Sequence, residues 1–266
     1  MLAIRAGRLF DGVDAVAVER PLVLIENGRI AAVQSGAEPP AEAEVVDLGA
    51  ATLLPGLIDS HVHLVFDAST DPVGHLDGAG DAEVLTAMRA RARIALAAGI
   101  TTVRDLGDRG YLAVELRDEL AADPTAGPLI LAAGPPITTG RGHCWYLGGE
   151  AIGGVDGVRA AVREHAERGV DVIKLMATGG ELTAGTASYV PQFAVAELRA
   201  AVDEAEAVVD AAADLLPNRR SLHAHADHLY CSVPAPPRQH LHAHRLFVWF
   251  TAAHLRDSRG GRRSAA

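Results

Sequence analysis

The amino-acid sequence predicts an α/β protein with a parallel sheet, on the basis of two features. From Leu57 onward, apolar strand segments alternate with segments of helical spacing, which is typical of successive strand–helix units. The apolar strands are followed by polar loops, as in a (β/α) barrel, whose active site lies where the strands end. A doubly wound open sheet is the alternative, but no Gly-x-Gly-x-x-Gly motif follows an early strand, so a dinucleotide-binding fold has little support.

The first 54 residues are expected to form short strands. Apolar segments at residues 21–26 and 29–33 flank the dipeptide Asn27-Gly28. Asn-Gly between apolar runs is a strong hairpin signal, because both residues tolerate positive φ. Since a lone hairpin is barely stable in water, we expect this hairpin to belong to a larger sheet.

Strands and helices are then predicted in alternation along the chain. The predicted strands cover residues 55–64, 100–105, 128–133 and 170–176, the first of them buried. The predicted helices cover residues 81–98, 111–122, 156–168 and 193–215. Gly99 and Gly169 stand just past the ends of two of these helices, a position that glycine commonly occupies.

Composition and charge exclude several classes of function. The chain has 266 residues and a net charge of −10, which argues against nucleic acid and an anionic membrane surface as partners. No apolar run approaches the roughly 20 residues of a membrane span, and the N-terminus lacks the apolar core of a secretory signal. Cys144 and Cys231 form no disulfide framework. We therefore expect a cytoplasmic protein.

A pair of histidines at the end of the first predicted strand is a candidate metal site. His61 and His63 are two positions apart, so their side chains leave a strand on the same face. Two imidazoles on one rigid strand could supply two ligands of a metal site. On spacing alone, however, such a pair is more often incidental than metal-binding.

The surrounding residues carry a resemblance to a known family. The stretch PGLIDSHVHL at residues 55–64 resembles the first barrel strand of the amidohydrolase superfamily, which carries a His-x-His metal pair. The stretch VIKLMATGG at residues 172–180 resembles the fourth-strand segment of the imidazolonepropionase-like and Xaa-Pro dipeptidase-like branch. The similarity continues through SYVPQF at residues 188–193, up to about Glu204.

Lys174, the only lysine of the chain, gains a role from this resemblance. In that branch the corresponding lysine is carbamylated by CO₂ and bridges two divalent metals. A desolvated, neutral lysine can react with CO₂, and the carbamate then acts as a carboxylate ligand. Without that context, a lysine with a buried stem and an ammonium group in solvent is the simpler expectation.

The resemblance implies a hydrolase of carbon–nitrogen bonds. One or two divalent metals, most simply Zn²⁺, would be held by His61, His63, carbamylated Lys174 and further histidines. A metal-activated hydroxide would attack the carbonyl of an amide, a cyclic amide or a dipeptide. His143, in the loop after the third strand, is a candidate substrate-binding residue or a solvated loop histidine.

Other polar residues receive weaker assignments. Arg104 and Asp105, at the end of the second strand, are compatible with a structural pair. His75 and His165 are expected at the surface, the latter within a helix among charged residues.

The resemblance also implies a domain arrangement. Residues 1–54 would be part of an N-terminal β-sandwich, and residues 55–216 would be the first four to five strands of the (β/α) barrel. A complete barrel alone takes about 250 residues. The chain is therefore expected to be a C-terminally truncated or frameshifted family member, with impaired activity. The alternative is a non-catalytic remnant that at most binds metal through its histidines.

The segment 217–266 differs in character from the rest of the chain. It holds seven of the twelve histidines and eight arginines, against two aspartates. His223, within Ser221-Leu222-His223-Ala224-His225, fits the family's fifth-strand metal histidine. No residue matches the family's proton-shuttling aspartate, so the catalytic residue is left unassigned, and Asp257 lacks the expected surroundings.

Overall fold

The computed structural model of the protein describes residues 1–214 and 248–250. The chain divides into two compact units, Met1–Leu57 and a second unit that begins at Ile58. Both contain sheets, and the second also contains helices, so the predicted α/β class is confirmed. No helix of the described part is long and apolar enough to cross a membrane.

The first unit consists of two small sheets. Its strands are β1 (Leu2–Arg5), β2 (Arg8–Leu9), β3 (Val18–Glu19), β4 (Pro21–Glu26), β5 (Arg29–Ser35), β6 (Glu44–Asp47) and β7 (Thr52–Leu53). One sheet has the order β5-β4-β1-β6 and the other the order β3-β2-β7. Strands β4 and β5 pair antiparallel around Asn27, whose φ is 50°, and Gly28, whose φ is 71°, so the predicted hairpin is confirmed.

The second unit alternates strands and helices, as predicted. Its strands are β8 (Leu57–Val62), β9 (Ile100–Asp105), β10 (Leu129–Ala132), β11 (Ile173–Leu175) and β12 (Val248–Phe250). Its helices are α1 (Pro72–Asp77), α2 (Asp81–Ala97), α3 (Leu112–Ala122), α4 (Gly154–Glu167) and α5 (Val195–Asp214). Gly99 and Gly169 follow α2 and α4 closely and have φ values of 88° and 76°, in the left-handed region that glycine tolerates.

Neighbouring strands of the second unit follow one another in chain order. One sheet has the order β10-β9-β8, and β9 and β10 pair parallel. Ile137, shortly after β10, forms a parallel bridge with Leu175 of β11. The Leu106 N–H donates to Val62 O over 2.9 Å, so β8 and β9 also end side by side. Because parallel strands end at one edge, polar residues at these four strand ends lie in one region.

The expectation that the first strand of this unit is buried was wrong. Leu57 is 53% exposed and Ile58 is 71% exposed. Strand β8 stands at the edge of its sheet, so it has a neighbouring strand on one side only among the described residues. Apolar residues in an edge strand can remain exposed, which an apolar run in a sequence does not reveal.

The core of the second unit lies between the sheet and its helices. Met88 of α2, Leu116 of α3 and Ile130 of β10 are fully buried in one cluster. A polar contact reinforces the packing, because Arg117 Nη1 of α3 lies 2.7 Å from Asp171 Oδ2. The same Asp171 oxygen accepts the Ala132 N–H over 2.9 Å, so one carboxylate joins α3 to the end of β10.

Removing the core side chain of Leu116 should test this packing. We expect Leu116→Ala to lower the free energy of unfolding by about 2–5 kcal/mol, because it leaves a cavity between α3 and β10. Ile94→Ala on α2 is the matched control, since Ile94 is 70% exposed, and should cost less than about 0.5 kcal/mol. Urea denaturation monitored by circular dichroism measures both, and equal losses would contradict this account of the core.

Candidate functional site

Strand β8 delivers two histidines to the shared edge. His61 is the next-to-last residue of β8, and His63 follows its end. The two rings leave the strand on the same side, with centroids 5.4 Å apart and ring planes inclined by 58°. The predicted common face of His61 and His63 is therefore present in the structure.

His63 is held in one orientation and one protonation state. Its Nδ1 lies 3.0 Å from the carbonyl oxygen of Gly107, and a carbonyl can only accept, so Nδ1 carries the hydrogen. Burial lowers the pKa of His63 to about 4, so the ring is neutral at pH 7. Nε2 then keeps its lone pair, which is the arrangement in metal-binding histidines whose other nitrogen is hydrogen-bonded.

Glycine at position 107 allows this close approach. A Cβ atom there would lie 3.1 Å from both Nδ1 and Cε1 of His63, closer than nine in ten real Cβ contacts. The residue therefore has a packing role beside the imidazole, which its place just after a strand did not indicate.

Lys174 lies inside the protein rather than at its surface. It belongs to β11, is 1% exposed, and is among the largest fully buried side chains. Burial lowers its pKa to about 7; the Cys144 thiol opposes this shift, and the Arg104 guanidinium adds to it. No carboxylate of the described residues forms an ion pair with it, so no such partner offsets the effect of burial on this pKa.

The pKa shifts of three histidines indicate that they lie near Lys174. Burial lowers the pKa of His61, His63 and His143, and the positive charge of Lys174 lowers each of them further. Such an effect requires short separations in a poorly hydrated environment. The structure thus brings together residues from β8, from β11 and from the loop that follows β10.

His143 is fixed by contacts between two loops. Its N–H donates to Gln192 Oε1 over 2.5 Å, and Gln192 Nε2 donates to Met176 O over 2.6 Å. A Cβ atom at Gly180 would overlap the His143 ring, so a larger residue there would displace the ring. Nδ1 of His143 is buried and has no hydrogen-bond partner within the described chain. A buried polar atom without a partner is costly, so this nitrogen is available to a ligand.

Asp105 and Asp108 contribute two buried carboxyl groups near this region. Both are fully buried, and burial raises the pKa of each. Asp105 accepts hydrogen bonds from backbone N–H groups, whereas Arg104 donates from Nε to Ser60 O over 2.7 Å. The position of Asp105 at a strand end was visible in the sequence, but its partners were not.

Two expectations about histidines have clear outcomes. His75 is 63% exposed at its side chain, as expected. His165 is 3% exposed, so its predicted surface position was wrong. It shares the buried face of α4 with Val158 and Val162, at spacings of seven and three residues, and its Nε2 lies 2.7 Å from Pro135 O. Helical spacing would have been a better guide than its charged neighbours.

The remaining predicted site residue, His223, lies outside the described residues, as do the other histidines of segment 217–266. Within the described part of the chain, no group of three or more His, Cys, Asp or Glu side chains is arranged to hold a metal ion. The possible ligands are two neutral imidazoles and a buried amine. The amine becomes an anionic third ligand only if it is carbamylated. These donors fit a divalent metal on that condition.

Comparisons with known proteins find a matching family and several relatives. The family model described as the amidohydrolase family matches residues 52–215, more than half of the chain. Ochratoxinase from Aspergillus niger is 28% identical over 232 residues, which are 76% of this chain and 47% of that protein. Dihydroorotase from Geobacter sulfurreducens is 44% identical over 66 residues, 24% of this chain and 15% of that protein.

Similar solved structures include a peptidase. A Xaa-Pro dipeptidase with bound methionine in its active site has a TM-score of 0.69 and 30% identity, over 77% of this chain and 54% of that one. The chain thus spans about half the length of these long matches. The family match covers both β8 and β11, the strands that carry His61 and Lys174. The chain therefore belongs to the amidohydrolase family.

Proposed function

We propose that the protein is a metal-dependent hydrolase of carbon–nitrogen bonds, acting on an amide, a cyclic amide or a dipeptide. One observation carries the proposal: His61, His63 and a buried Lys174, which has no carboxylate partner among the described residues, lie close together at the ends of parallel strands. A buried unpaired lysine is costly for stability, so a functional reason for it is expected.

A divalent metal would be held by His61, by Nε2 of His63 and by the carbamate of Lys174, with His223 as a further ligand. Members of this superfamily typically use divalent metals. Nitrogen and carboxylate-type oxygen ligands suit Zn²⁺. When bound, the metal would polarise the substrate carbonyl and lower the pKa of water.

Lys174 supplies the anionic ligand by a simple reaction. Its neutral amine attacks CO₂, a nitrogen–carbon bond forms, and one proton leaves to solvent, which yields a carbamate. Burial supports this reaction, because it lowers the pKa of the amine to about 7 and so provides the nucleophilic form. The product replaces an unpaired buried cation by an anion between metal-binding groups.

His143 would bind the substrate. Its main chain is anchored to Gln192, and its Nδ1 is buried with no partner in the described structure. A polar group of the substrate would satisfy that nitrogen, and the anchored loop would hold the scissile bond in a fixed orientation. The similarity to a Xaa-Pro dipeptidase supports a dipeptide as a member of this substrate class.

The proposal includes an architecture and a location. We propose that the second unit is the first part of a (β/α) barrel and that the sheets of the first unit belong to a β-sandwich. Parallel strands in chain order support the barrel. A free, buried Cys144 supports a reducing compartment such as the cytoplasm.

Metal binding tests the histidine pair directly. We expect the full chain to bind Zn²⁺ stoichiometrically, and His61→Ala and His63→Ala each to weaken binding at least tenfold, because each removes one ligand. His75→Ala is the matched control, since that exposed histidine should not affect affinity. Equilibrium dialysis with metal analysis gives the result. Zinc held equally well by all three variants would contradict the proposed site.

Turnover distinguishes a hydrolase from a non-catalytic metal-binding chain. We expect the zinc-loaded chain to cleave at least one substrate in a panel of Xaa-Pro dipeptides, N-acyl amino acids and cyclic amides. Activity should be lost in His63→Ala and after chelation, since both remove the metal. Ninhydrin detection of the released amine measures it. Stoichiometric zinc without turnover on any of them would favour the non-catalytic alternative.

Replacing Lys174 should separate stability from function. In the unfolded chain its pKa returns to 10.5, so between pH 7 and 10.5 the unfolded state binds more protons than the folded state. The folded wild type therefore gains stability as pH rises through this window. In CO₂-free buffer with chelator, we expect Lys174→Met to be more stable by about 1–4 kcal/mol at pH 7, with the difference shrinking toward pH 10.

Arg117→Met is the matched control, since it removes a paired cation and should lose stability. Lys174→Met should also bind zinc more weakly than the wild type. Urea denaturation across this pH range provides the free energies. A Lys174→Met protein that is less stable than the wild type at pH 7 would contradict the claim of an unpaired buried amine.

A further inference from the structure

The carboxylate of Asp105 connects two segments that meet at His63. It stands at the end of β9 and is fully buried. Its Oδ2 accepts the N–H of Leu64 over 2.8 Å, and its Oδ1 accepts the N–H of Gly107 over 3.0 Å. Both oxygens of Asp105 thus accept from main-chain donors. These two hydrogen bonds favour the ionised carboxylate and oppose the effect of burial, which raises its pKa.

These two donors belong to the residues that fix the main chain and the ring of His63. Leu64 is the residue directly after His63, so its N–H belongs to the peptide that leaves the histidine. Gly107 is the residue whose carbonyl oxygen accepts the His63 ring N–H over 3.0 Å. A shift of Asp105 would therefore move the main chain of His63 and the acceptor of its ring together.

The following peptide group, between Leu64 and Val65, is held as well. Arg91 of α2 donates from Nη1 to Leu64 O over 2.8 Å. With Asp105 on the N–H of Leu64 and Arg91 on its C=O, this residue is anchored through both of its peptide groups. Anchoring of this kind limits the rotation of the strand end from which the imidazole projects.

We propose that Asp105 is a positioning residue, which fixes the orientation and tautomer of His63 for metal binding through the Leu64 and Gly107 N–H groups. This inference rests on the proposed function of His63. A carboxylate is required, because it accepts at both oxygens. An asparagine accepts at one atom only, and its NH₂ group would face a backbone N–H, donor against donor.

Asp108 offers a natural control three residues away. It is as deeply buried as Asp105, and burial raises its pKa likewise. Its Oδ2, however, accepts the N–H of Ala113 over 2.8 Å, in the first turn of α3. Asp108→Asn keeps one acceptor oxygen for that N–H and leaves the contacts of Asp105 with Leu64 and Gly107 in place. It also removes a negative charge that raises the pKa of Asp105, so it favours the ionised form of that carboxylate.

The first measurement is zinc affinity, by competition with a chromophoric chelator, in Asp105→Asn and Asp108→Asn alongside the wild type. Loss of an outer-shell partner of a metal-binding histidine typically weakens affinity about 10- to 100-fold, and we expect that for Asp105→Asn, against less than about threefold for Asp108→Asn. Urea denaturation of both metal-free proteins shows whether their stabilities match.

The second measurement needs no metal. In ¹⁵N-histidine-labelled protein, the His63 ring signals are identified by their loss in His63→Ala. We expect the wild type and Asp108→Asn to hold His63 as the single tautomer with hydrogen on Nδ1. Asp105→Asn should give a mixture of tautomers, because the Gly107 carbonyl is no longer held against the ring. A purely structural role of Asp105 would not change this spectrum.

Unchanged zinc affinity and an unchanged His63 tautomer in folded Asp105→Asn would overturn the proposal, as would equal effects in Asp108→Asn. If Asp105→Asn does not fold, Gly107→Ala decides the question, since its methyl group meets the His63 ring at 3.1 Å. We expect it to weaken zinc binding and alter the tautomer, and wild-type behaviour would refute the proposal. A wild type that binds no zinc refutes the proposed function alone, because the tautomer experiment still tests Asp105.

Discussion

Burial of the Lys174 amine is the constraint on which the site depends. Transfer of an ammonium group from water into an apolar interior is expensive. Burial lowers the pKa of Lys174 to about 7, and no carboxylate of the described residues forms an ion pair with it. The neighbouring histidines respond to the same environment, since burial and the lysine charge keep them neutral. A set of neutral nitrogen donors around a reactive amine is a poor arrangement for stability and a suitable one for holding a cation.

The precision of this region comes from close contacts with glycines and from backbone hydrogen bonds. Gly107 and Gly180 each leave room for an imidazole, at His63 and His143 respectively. The carbonyl of Gly107 then sets the tautomer of His63. Side chains on rigid elements, supported by such secondary contacts, hold their geometry better than side chains on free loops. The site therefore depends on residues that carry no reactive group of their own.

Buried polar groups elsewhere in the second unit follow the same physical rule. Asp171 joins Arg117 to the end of β10, and His165 joins α4 to the Pro135 carbonyl. Each such group is buried with partners, since an unpartnered one would cost folding energy. Two buried side-chain atoms of the described chain have no hydrogen-bond partner, Nδ1 of His143 and Oδ1 of Asp108. The first of them lies where a substrate is proposed to bind.

Sequence patterns alone determined the α/β class, the hairpin around Asn27-Gly28, the succession of strands and helices to within a few residues, and the shared face of His61 and His63. These features depend on local periodicity and turn chemistry, which neighbouring residues encode. The exposure of β8, the burial of His165 and the partners of Asp105 depended on tertiary structure. The contacts that orient His63 and anchor Leu64 span 44 and 41 residues. Only packing of distant strand ends brings such residues together, because no short-range pattern records which carbonyl an imidazole will meet.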